Sequence, residues 1–287
     1  MKKEIIRFFR KLMSNINIIM SNKIMYRHLL KKKLNLKEPK SFNEKINWLK
    51  IYKYPYDDFV IECADKYRVR QYLHEKGLDK YIVDLIGVWD KPEQIDWKLL
   101  PQQFVIKCNH GMGYNIICKD KNKTDEKIVK KTLNKWIKED FGKVSGELHY
   151  SKIDRKIICE KYLGDNLIDI QFWCSYGKVL FISYINDPHG NNKKASFDEK
   201  WNRLNFVTSL PIMEDNNIKK PKKLNEMLKI AKNISSKLVF IRLDFYIINN
   251  EEIKISELSF TPASGFVRWN PSIYDNRIGK LIDIKTK

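Results

Sequence analysis

The sequence has few of the features that mark disulfide-stapled, zinc-binding or membrane-spanning proteins. Its 287 residues include five cysteines, and no two of them form a CxxC pair or show zinc-ligand spacing. An odd number of cysteines does not suit a complete disulfide framework. The hydrophobic runs fall well below the roughly 20 residues that a membrane-spanning helix needs. We therefore expect a cytoplasmic protein that folds in a reducing compartment.

Several signature motifs are also absent. The GxxxxGK[ST] loop of P-loop nucleotide-binding proteins does not occur, and no two aspartates have the DxD spacing used by a large group of glycosyltransferases. No zinc-finger or RNP signature interrupts the chain. These absences count against a P-loop enzyme and a nucleic-acid-binding domain.

Acidic residues are scarce relative to basic ones. The chain has 35 aspartates and glutamates against 55 lysines and arginines, which gives a formal charge of +20. Lysine carries nearly all of the excess, whereas nucleic-acid sites generally depend on arginine. The excess suits either a polyanionic substrate or an anionic lipid surface, or it reflects the Lys-, Ile- and Asn-rich composition expected of an AT-rich coding sequence. We expect no nucleic-acid partner.

A basic amphipathic helix is predicted over the first residues of the sequence. Ile5, Phe8, Phe9, Leu12 and Met13 recur at helical spacing, with lysine and arginine between them. Two interpretations are open. The helix either packs on its own domain or makes peripheral contact with a membrane surface, which would be the inner face.

The predicted secondary structure changes from helix to strand near Pro101. Residues 1–100 have mostly helical spacing, whereas the regions 101–165 and 166–287 contain short β-rich runs separated by turn residues. A helix is expected from Thr124, which can cap it. The predicted fold class is α+β, with a helical first part followed by antiparallel sheets on which helices pack.

Two acidic residues are expected to face each other across a hairpin. If Asn249 pairs with Glu252, Asp244 lies directly opposite Glu257. If Asn249 and Asn250 themselves form a two-residue turn, Glu257 instead lies opposite Arg242 and diagonal to Asp244. Both registers leave Arg242, Asp244 and Glu257 on one face, because side chains alternate with a period of two. The pair predicts either a Mg²⁺ site or an ordinary hairpin face neutralised by Arg242. A turn of odd length would separate the two acids.

A second set of candidate residues lies on two other strands. Lys107 ends a strand and is followed by Gly111 and Gly113, which allow backbone N–H groups to approach a phosphate, although such a glycine turn is also a common structural turn. Glu160 is an acid on an otherwise apolar strand and needs a partner. The amino group of a purine and a lysine elsewhere in the chain are equally suitable.

Together these elements resemble the TupA-like branch of the ATP-grasp superfamily, which occurs in bacterial teichuronopeptide and capsule-type polysaccharide clusters. The resemblance runs in order over most of the chain, to about residue 270. It is carried by PKSFNEKINWLKIY, ADKYRVRQYL, LIGVWD, FVIKCNHGMGYNIICKDK, EKYL, RLDFY and ELSFTPASGF.

The resemblance implies an ATP-grasp fold that clamps ATP, with 101–165 and 166–287 as its small and large subdomains. It implies ATP and Mg²⁺ as cofactors. The implied residues are Lys107, His110, Gly111, Gly113, Glu160, Lys161, Tyr162, Leu163 and Asp169 for the nucleotide, Asp244 and Glu257 for the metal, and Lys107, Arg242 and Arg268 for catalysis. The loop 261–266 would face the acceptor.

The same resemblance implies the reaction. Its relatives make an acyl-phosphate from a carboxylate and let an amine displace it, so the expected partners are a carboxylate-bearing sugar or glycan and an amine donor. Three departures bear on catalysis: Gln171 stands where relatives often have lysine, Ser259 replaces a frequent asparagine, and Ala263 replaces a usual glycine. A glycosyltransferase of the same pathway and a non-catalytic nucleotide- or polyanion-binding protein are the alternatives.

Overall fold

The computed structural model describes residues 2–186, 192–215 and 217–284. The chain forms two compact units. Unit 1 comprises Met1–Asn17 and Tyr54–Leu163, and unit 2 comprises Ile18–Lys53 and Gly164–Lys287. Each unit contains its own sheet, so the antiparallel sheets and packed helices of the predicted α+β class are confirmed.

Nine α-helices and twelve strands lie within the described ranges. The helices are α1 (Lys2–Ile16), α2 (Ile18–Leu30), α3 (Phe42–Tyr52), α4 (Asp58–Ala64), α5 (Val69–Glu75), α6 (Glu126–Lys138), α7 (Phe141–Ser145), α8 (Leu224–Ser235) and α9 (Tyr274–Gly279). The strands are β1 (Leu85–Trp89), β2 (Phe104–Cys108), β3 (Asn115–Cys118), β4 (Ile157–Lys161), β5 (Leu167–Ser175), β6 (Lys178–Asn186), β7 (Lys193–Phe197), β8 (Arg203–Leu204), β9 (Val207–Thr208), β10 (Ile241–Ile248), β11 (Glu252–Ser259) and β12 (Trp269–Asn270). Among these helices, none has the length and apolar character needed to cross a bilayer.

Unit 1 is built on a four-stranded antiparallel sheet with the order β1-β4-β2-β3. Strand β2 alternates, with Phe104 and Ile106 buried on one face and Lys107 on the other. Helix α6 packs near β2. Its N-cap is Asp125 rather than Thr124, because the Asp125 carboxylate accepts hydrogen bonds from two backbone N–H groups of the first turn.

Unit 2 is built on a six-stranded sheet with the order β11-β10-β5-β6-β7-β8, in which every neighbouring pair is antiparallel. Helix α8 covers one face and buries Met227, Ala231 and Ile234. The residues of β5 that point the other way include Asp169, Gln171 and an aromatic residue, Trp173, which contacts Phe42 and Trp269. The sheet thus has one apolar face. On its other face, the side chains of β5 change from aromatic at Trp173 to polar at Gln171 and Asp169.

The β10–β11 hairpin combines a three-residue turn with a β-bulge. Ile248 pairs with Glu252, so the turn has odd length, and both Asn249 and Asn250 adopt left-handed backbone conformations. The register then shifts between Phe245 and Asp244, which places Asp244 opposite Glu257. The bulge therefore restores the pairing that an odd turn alone would have removed.

Candidate functional site

The β10–β11 hairpin holds a buried ion cluster at its sheet face. Arg242 Nε lies 2.8 Å from Asp244 Oδ1, and its Nη2 lies 2.5 Å from Asp244 Oδ2 and 3.5 Å from Glu257 Oε2. The side chains of Arg242 and Asp244 are almost entirely buried, whereas that of Glu257 keeps partial access to solvent. One arginine therefore bridges the two acids that the sequence placed on one face.

Strand β5 adds a third carboxylate to this face. Asp169 pairs with Tyr246 in register, and Gln171 pairs with Asp244. Gln171 Nε2 donates to Asp169 Oδ2 at 2.9 Å. Within the described part of the chain, Asp169 Oδ1 is buried without a hydrogen-bond partner. Such an atom is costly unless a ligand or cation satisfies it.

Lys194 on β7 belongs to the same cluster, although it is not among the residues predicted from the sequence. Its Nζ lies 3.0 Å from Thr208 Oγ1 and 3.3 Å from Gln171 Oε1, and the residue is buried. Only the order of strands in the folded sheet brings β7 near β5. The available signal was a lysine in the short run KKASF, whose other residues suit a buried strand.

Burial dominates the electrostatics of the cluster. It raises the pKa of Asp244 and of Asp169 well above their usual range, and Arg242 only partly offsets this effect. Burial, reinforced by the charge of Arg242, lowers the pKa of Lys194 to about 7. A cation bound nearby would favour the ionised form of both carboxylates.

The residues present fit Mg²⁺ in their chemistry. Asp244 and Glu257 offer hard carboxylate oxygens, and Mg²⁺ is commonly held by one or two carboxylates together with substrate phosphates. No group of three or more His, Cys, Asp or Glu side chains able to hold a metal ion occurs in the described ranges. Phosphate oxygens or water molecules would therefore have to complete the coordination sphere.

In unit 1, the partner of Glu160 is Lys107. Lys107 Nζ lies 2.6 Å from Glu160 Oε2, and Arg70 Nη1 lies 3.4 Å from Glu160 Oε1. The contact follows from the β2–β4 register, in which Lys107 pairs with Ile158 and Glu160 pairs with Val105. Of the two partners considered from the sequence, the structure contains the lysine.

The segment after Glu160 leaves the sheet at once. Strand β4 ends at Lys161, whose exposed ammonium lies 3.6 Å from Asp84 Oδ2. Tyr162 and Leu163 follow outside the strand and are half-buried. The resemblance assigns this segment to the nucleotide.

The glycine turn between β2 and β3 has an inner and an outer part. A side chain at Gly111 would lie 2.7 Å from Phe141 and 2.9 Å from Tyr114, so this glycine is required by packing. Gly113 is exposed, has a φ of +73° and has no atom within 4 Å of a built Cβ, so its backbone faces open space.

His110 points into unit 1. It is fully buried, its Nε2 lies 3.1 Å from the Glu139 carbonyl oxygen, and its ring packs against Tyr114. Burial lowers the pKa of His110 to about 4. Its side chain therefore supports the turn from inside, and only its backbone lies along the loop that the sequence analysis proposed for the nucleotide.

The predicted acceptor loop is held by one face of α3. Lys50 Nζ donates to the Ser264 carbonyl oxygen at 2.6 Å, and Asn47 Nδ2 donates to the Gly265 carbonyl oxygen at 2.7 Å. Ala263 and Ser264 both have left-handed backbone conformations. A non-glycine residue in that region stays there only when its surroundings fix it, and α3 supplies this constraint.

Arg268 lies just beyond this loop and is exposed. Its carbonyl oxygen accepts a 2.7 Å hydrogen bond from the Ser209 backbone. The next residue, Trp269, pairs with Thr208 of β9, so Arg268 lies beside this strand. Thr208 is also the residue that contacts Lys194.

A family model described as TupA-like ATPgrasp matches residues 44–283. The chain belongs to this family. The match covers the lysine strand, the glycine turn, the EKYL segment and the β10–β11 hairpin, and it confirms the resemblance inferred from the motifs. The ATP-grasp fold is typical of ATP-dependent ligases.

Solved structures resemble the chain more distantly. D-alanine–D-alanine ligase from Helicobacter pylori is 16% identical over 86% of this chain and 68% of its own, with a TM-score of 0.47. The Bacillus anthracis D-alanine–D-alanine ligase is 22% identical over 69% of this chain and 57% of its own, with a TM-score of 0.44. L-amino acid ligase from Bacillus licheniformis is 12% identical over 70% of this chain and 43% of its own, with a TM-score of 0.44. No curated protein sequence matches the chain.

Stability should reveal the buried state of His110. Because the pKa of His110 falls from 6.5 to about 4 on folding, the unfolded chain binds a proton first as the pH drops, and the folded state loses stability below pH 6.5. His110→Gln should remove about 1.4 kcal/mol of this loss per pH unit between pH 6 and 5. Urea unfolding of both proteins measures the difference. His28→Gln, at an exposed position of α2, is the control; equal slopes for wild type and His110→Gln would contradict the assignment.

Replacing Lys50 should loosen the loop 261–266. Lys50→Met keeps the buried volume of the side chain but removes the hydrogen-bond donor to Ser264. The loop loses one constraint, so the equilibrium constant for its local opening should rise about tenfold. Amide hydrogen exchange in residues 261–266 should accelerate by that factor, while exchange in β5 and β10 stays unchanged. Lys23→Met, at an exposed position of α2, should change neither. Unaltered exchange in the loop would show that α3 does not hold it.

Proposed function

We propose that this protein is an ATP-dependent carboxylate–amine ligase that releases ADP through an acyl-phosphate intermediate. The observation that carries the proposal is the buried Arg242–Asp244–Glu257 cluster, set on a hairpin of a chain that belongs to the ATP-grasp family. An ordinary solvated hairpin face does not need an arginine that contacts a buried and a partly exposed carboxylate, whereas a phosphoryl-transfer site uses such a set of charges.

The roles follow from the charges. Mg²⁺ held by Asp244 and Glu257 would neutralise phosphate charge. Lys107 is assigned to the phosphates of ATP, and Arg242 to the charge on the transferred phosphoryl group. Lys161, Tyr162 and Leu163 serve the adenine through their strand-end segment. The Glu160 carboxylate either accepts a hydrogen bond from the adenine or orients Lys107 as its ion-pair partner. Asp169 binds the ribose, and the Gly111–Gly113 turn covers the phosphates.

The acceptor is proposed to be anionic. The chain carries a formal charge of +20, which concentrates polyanions near its surface. We propose the carboxylate of a uronic acid or amino acid on a nascent bacterial cell-surface or capsular polysaccharide, joined to an amine donor. The loop 261–266 and the exposed Arg268 contact this acceptor.

The reaction is tested by nucleotide release. The purified full chain is incubated with Mg-ATP and pairs of uronic acids and amines, and ADP and AMP are measured separately. ADP release that requires both acid and amine supports the ligase. Release of AMP instead of ADP, or no release with any pair, overturns it, and binding of a UDP-sugar in calorimetry would favour a glycosyltransferase.

Variants separate binding from turnover. Asp244→Asn and Glu257→Gln should each lower kcat by roughly a hundredfold or more, because a phosphoryl-transfer site loses its charge stabilisation. Lys107→Met should mainly raise the KM for ATP. Glu252→Gln lies on the same strand as Glu257 but points to solvent, so it should match wild type. Equal activity of Glu252→Gln and Glu257→Gln would remove the metal assignment.

Lys194 is proposed to supply the positive charge that relatives have at the position of Gln171. The two side chains touch at 3.3 Å, so an ammonium on either strand reaches the same space. Lys194→Met should weaken ATP binding about tenfold, in line with the loss of one charge-assisted hydrogen bond. The second change Gln171→Lys should restore part of that affinity, measured by ATP titration calorimetry. If the double variant binds ATP more weakly than Lys194→Met alone, a lysine at position 171 does not replace Lys194 and the proposal is contradicted.

A further inference from the structure

Helix α1 is oriented with its polar side toward the protein. Arg7 Nη2 lies 2.5 Å from Glu139 Oε2 and 3.2 Å from the Tyr114 hydroxyl. Arg10 donates to the carbonyl oxygen of Ser145, at the end of α7, the helix against which α1 packs. Arg7 and Arg10 are three residues apart and so share one side of the helix. Their charge-assisted hydrogen bonds attach α1 to unit 1.

The opposite side of α1 is apolar and open. Phe8, Leu12 and Ile16 are spaced by four residues and form one row along the helix. Their exposed fractions are 72%, 49% and 73%, and Phe9 beside them is 49% exposed. A surface helix of a globular protein ordinarily turns its apolar stripe inward and its charges outward. Helix α1 does the reverse, so its apolar row stays largely exposed in the described part of the chain.

The row is bordered by positive charge. Lys11 is exposed on the same helix, one position before Leu12, and the whole chain carries a formal charge of +20. A second copy of this chain would bring the same excess of positive charge to the contact, and like charges disfavour that association. An anionic lipid surface offers both an apolar layer for the row and negative charge for the protein.

We propose that α1 lies in the interface of an anionic lipid bilayer, with Phe8, Leu12 and Ile16 inserted between the lipids. The arginines on the opposite side keep unit 1 attached to the helix. A helix that lies in the plane of the interface gains from buried apolar area and from attraction to anionic headgroups, and here the two contributions come from neighbouring side chains. This binding does not depend on the ligase reaction.

The experiment is flotation of the full chain with vesicles of phosphatidylglycerol and phosphatidylcholine. Wild type should float with the vesicles. The variant Phe8→Ser, Leu12→Ser, Ile16→Ser should reduce the bound fraction at limiting lipid by at least about tenfold, because most of the inserted apolar area is lost. These positions are exposed, so its thermal unfolding should match wild type.

A matched control removes apolar residues elsewhere on unit 1. Leu99 and Ile128 are 81% and 63% exposed, so Leu99→Ser, Ile128→Ser deletes comparable exposed area away from α1. This variant should float like wild type. If it loses binding as strongly as the α1 variant does, the interaction is general surface hydrophobicity and the proposal fails.

Charge is tested separately. Lys11→Glu should weaken binding to the anionic vesicles roughly fivefold or more, and added salt should weaken wild-type binding. Vesicles of phosphatidylcholine alone should bind less protein than the mixed vesicles. Equal binding to both lipids, or no flotation of wild type, would overturn the proposal. So would a dimer in sedimentation velocity that becomes monomeric in the α1 triple variant, since a second copy would then cover the row.

Discussion

The contact of Arg242 with Asp244 organises the polar face of the six-stranded sheet in unit 2. It holds two charged groups away from water, with Glu257 on the adjacent strand and Asp169 and Lys194 on the same sheet. Three carboxylates then face two basic groups, and burial raises the pKa of the two most enclosed acids. Such clusters rarely improve stability over apolar packing. Their chemistry suits a site that receives a cation and a phosphorylated ligand. The aromatic residues packed around Trp173 contribute stability that offsets the cost of burying these charges.

The residue types of this cluster could be predicted from the sequence, but the geometry needed the fold. The period-two alternation of side chains predicts that Arg242, Asp244 and Glu257 share one face in either of two hairpin registers. It also predicts that a turn of odd length would separate the two acids. The observed turn is odd, and a bulge beside Asp244 compensates. This bulge also keeps Ile253 and Ile255 on the apolar side while Glu257 moves to the polar one. No local sequence signal announces an extra unpaired residue in an otherwise regular strand.

Long-range partners explain what the sequence missed. Lys194 joins the site because β7 lies two strands from β5, and sheet order is not written in local periodicity. The polar positions of α3 look solvent-facing in isolation, yet Asn47 and Lys50 are buried and hold the loop that contains Ser264. Glu160 was recognised as an acid in need of a partner because its strand is otherwise apolar. The choice of Lys107 as that partner required the β2–β4 register.

Helix α1 shows the same division between pattern and placement. Helical spacing separated its apolar residues from its basic ones, which defines two faces but does not decide which face turns inward. Glu139, Tyr114 and the Ser145 carbonyl oxygen decide it, because each accepts a hydrogen bond from an arginine of α1. All three bonds come from charged guanidinium groups, and Glu139 adds a charged acceptor. The helix is therefore fixed by its charges, and its apolar row remains available to a partner that unit 1 does not provide.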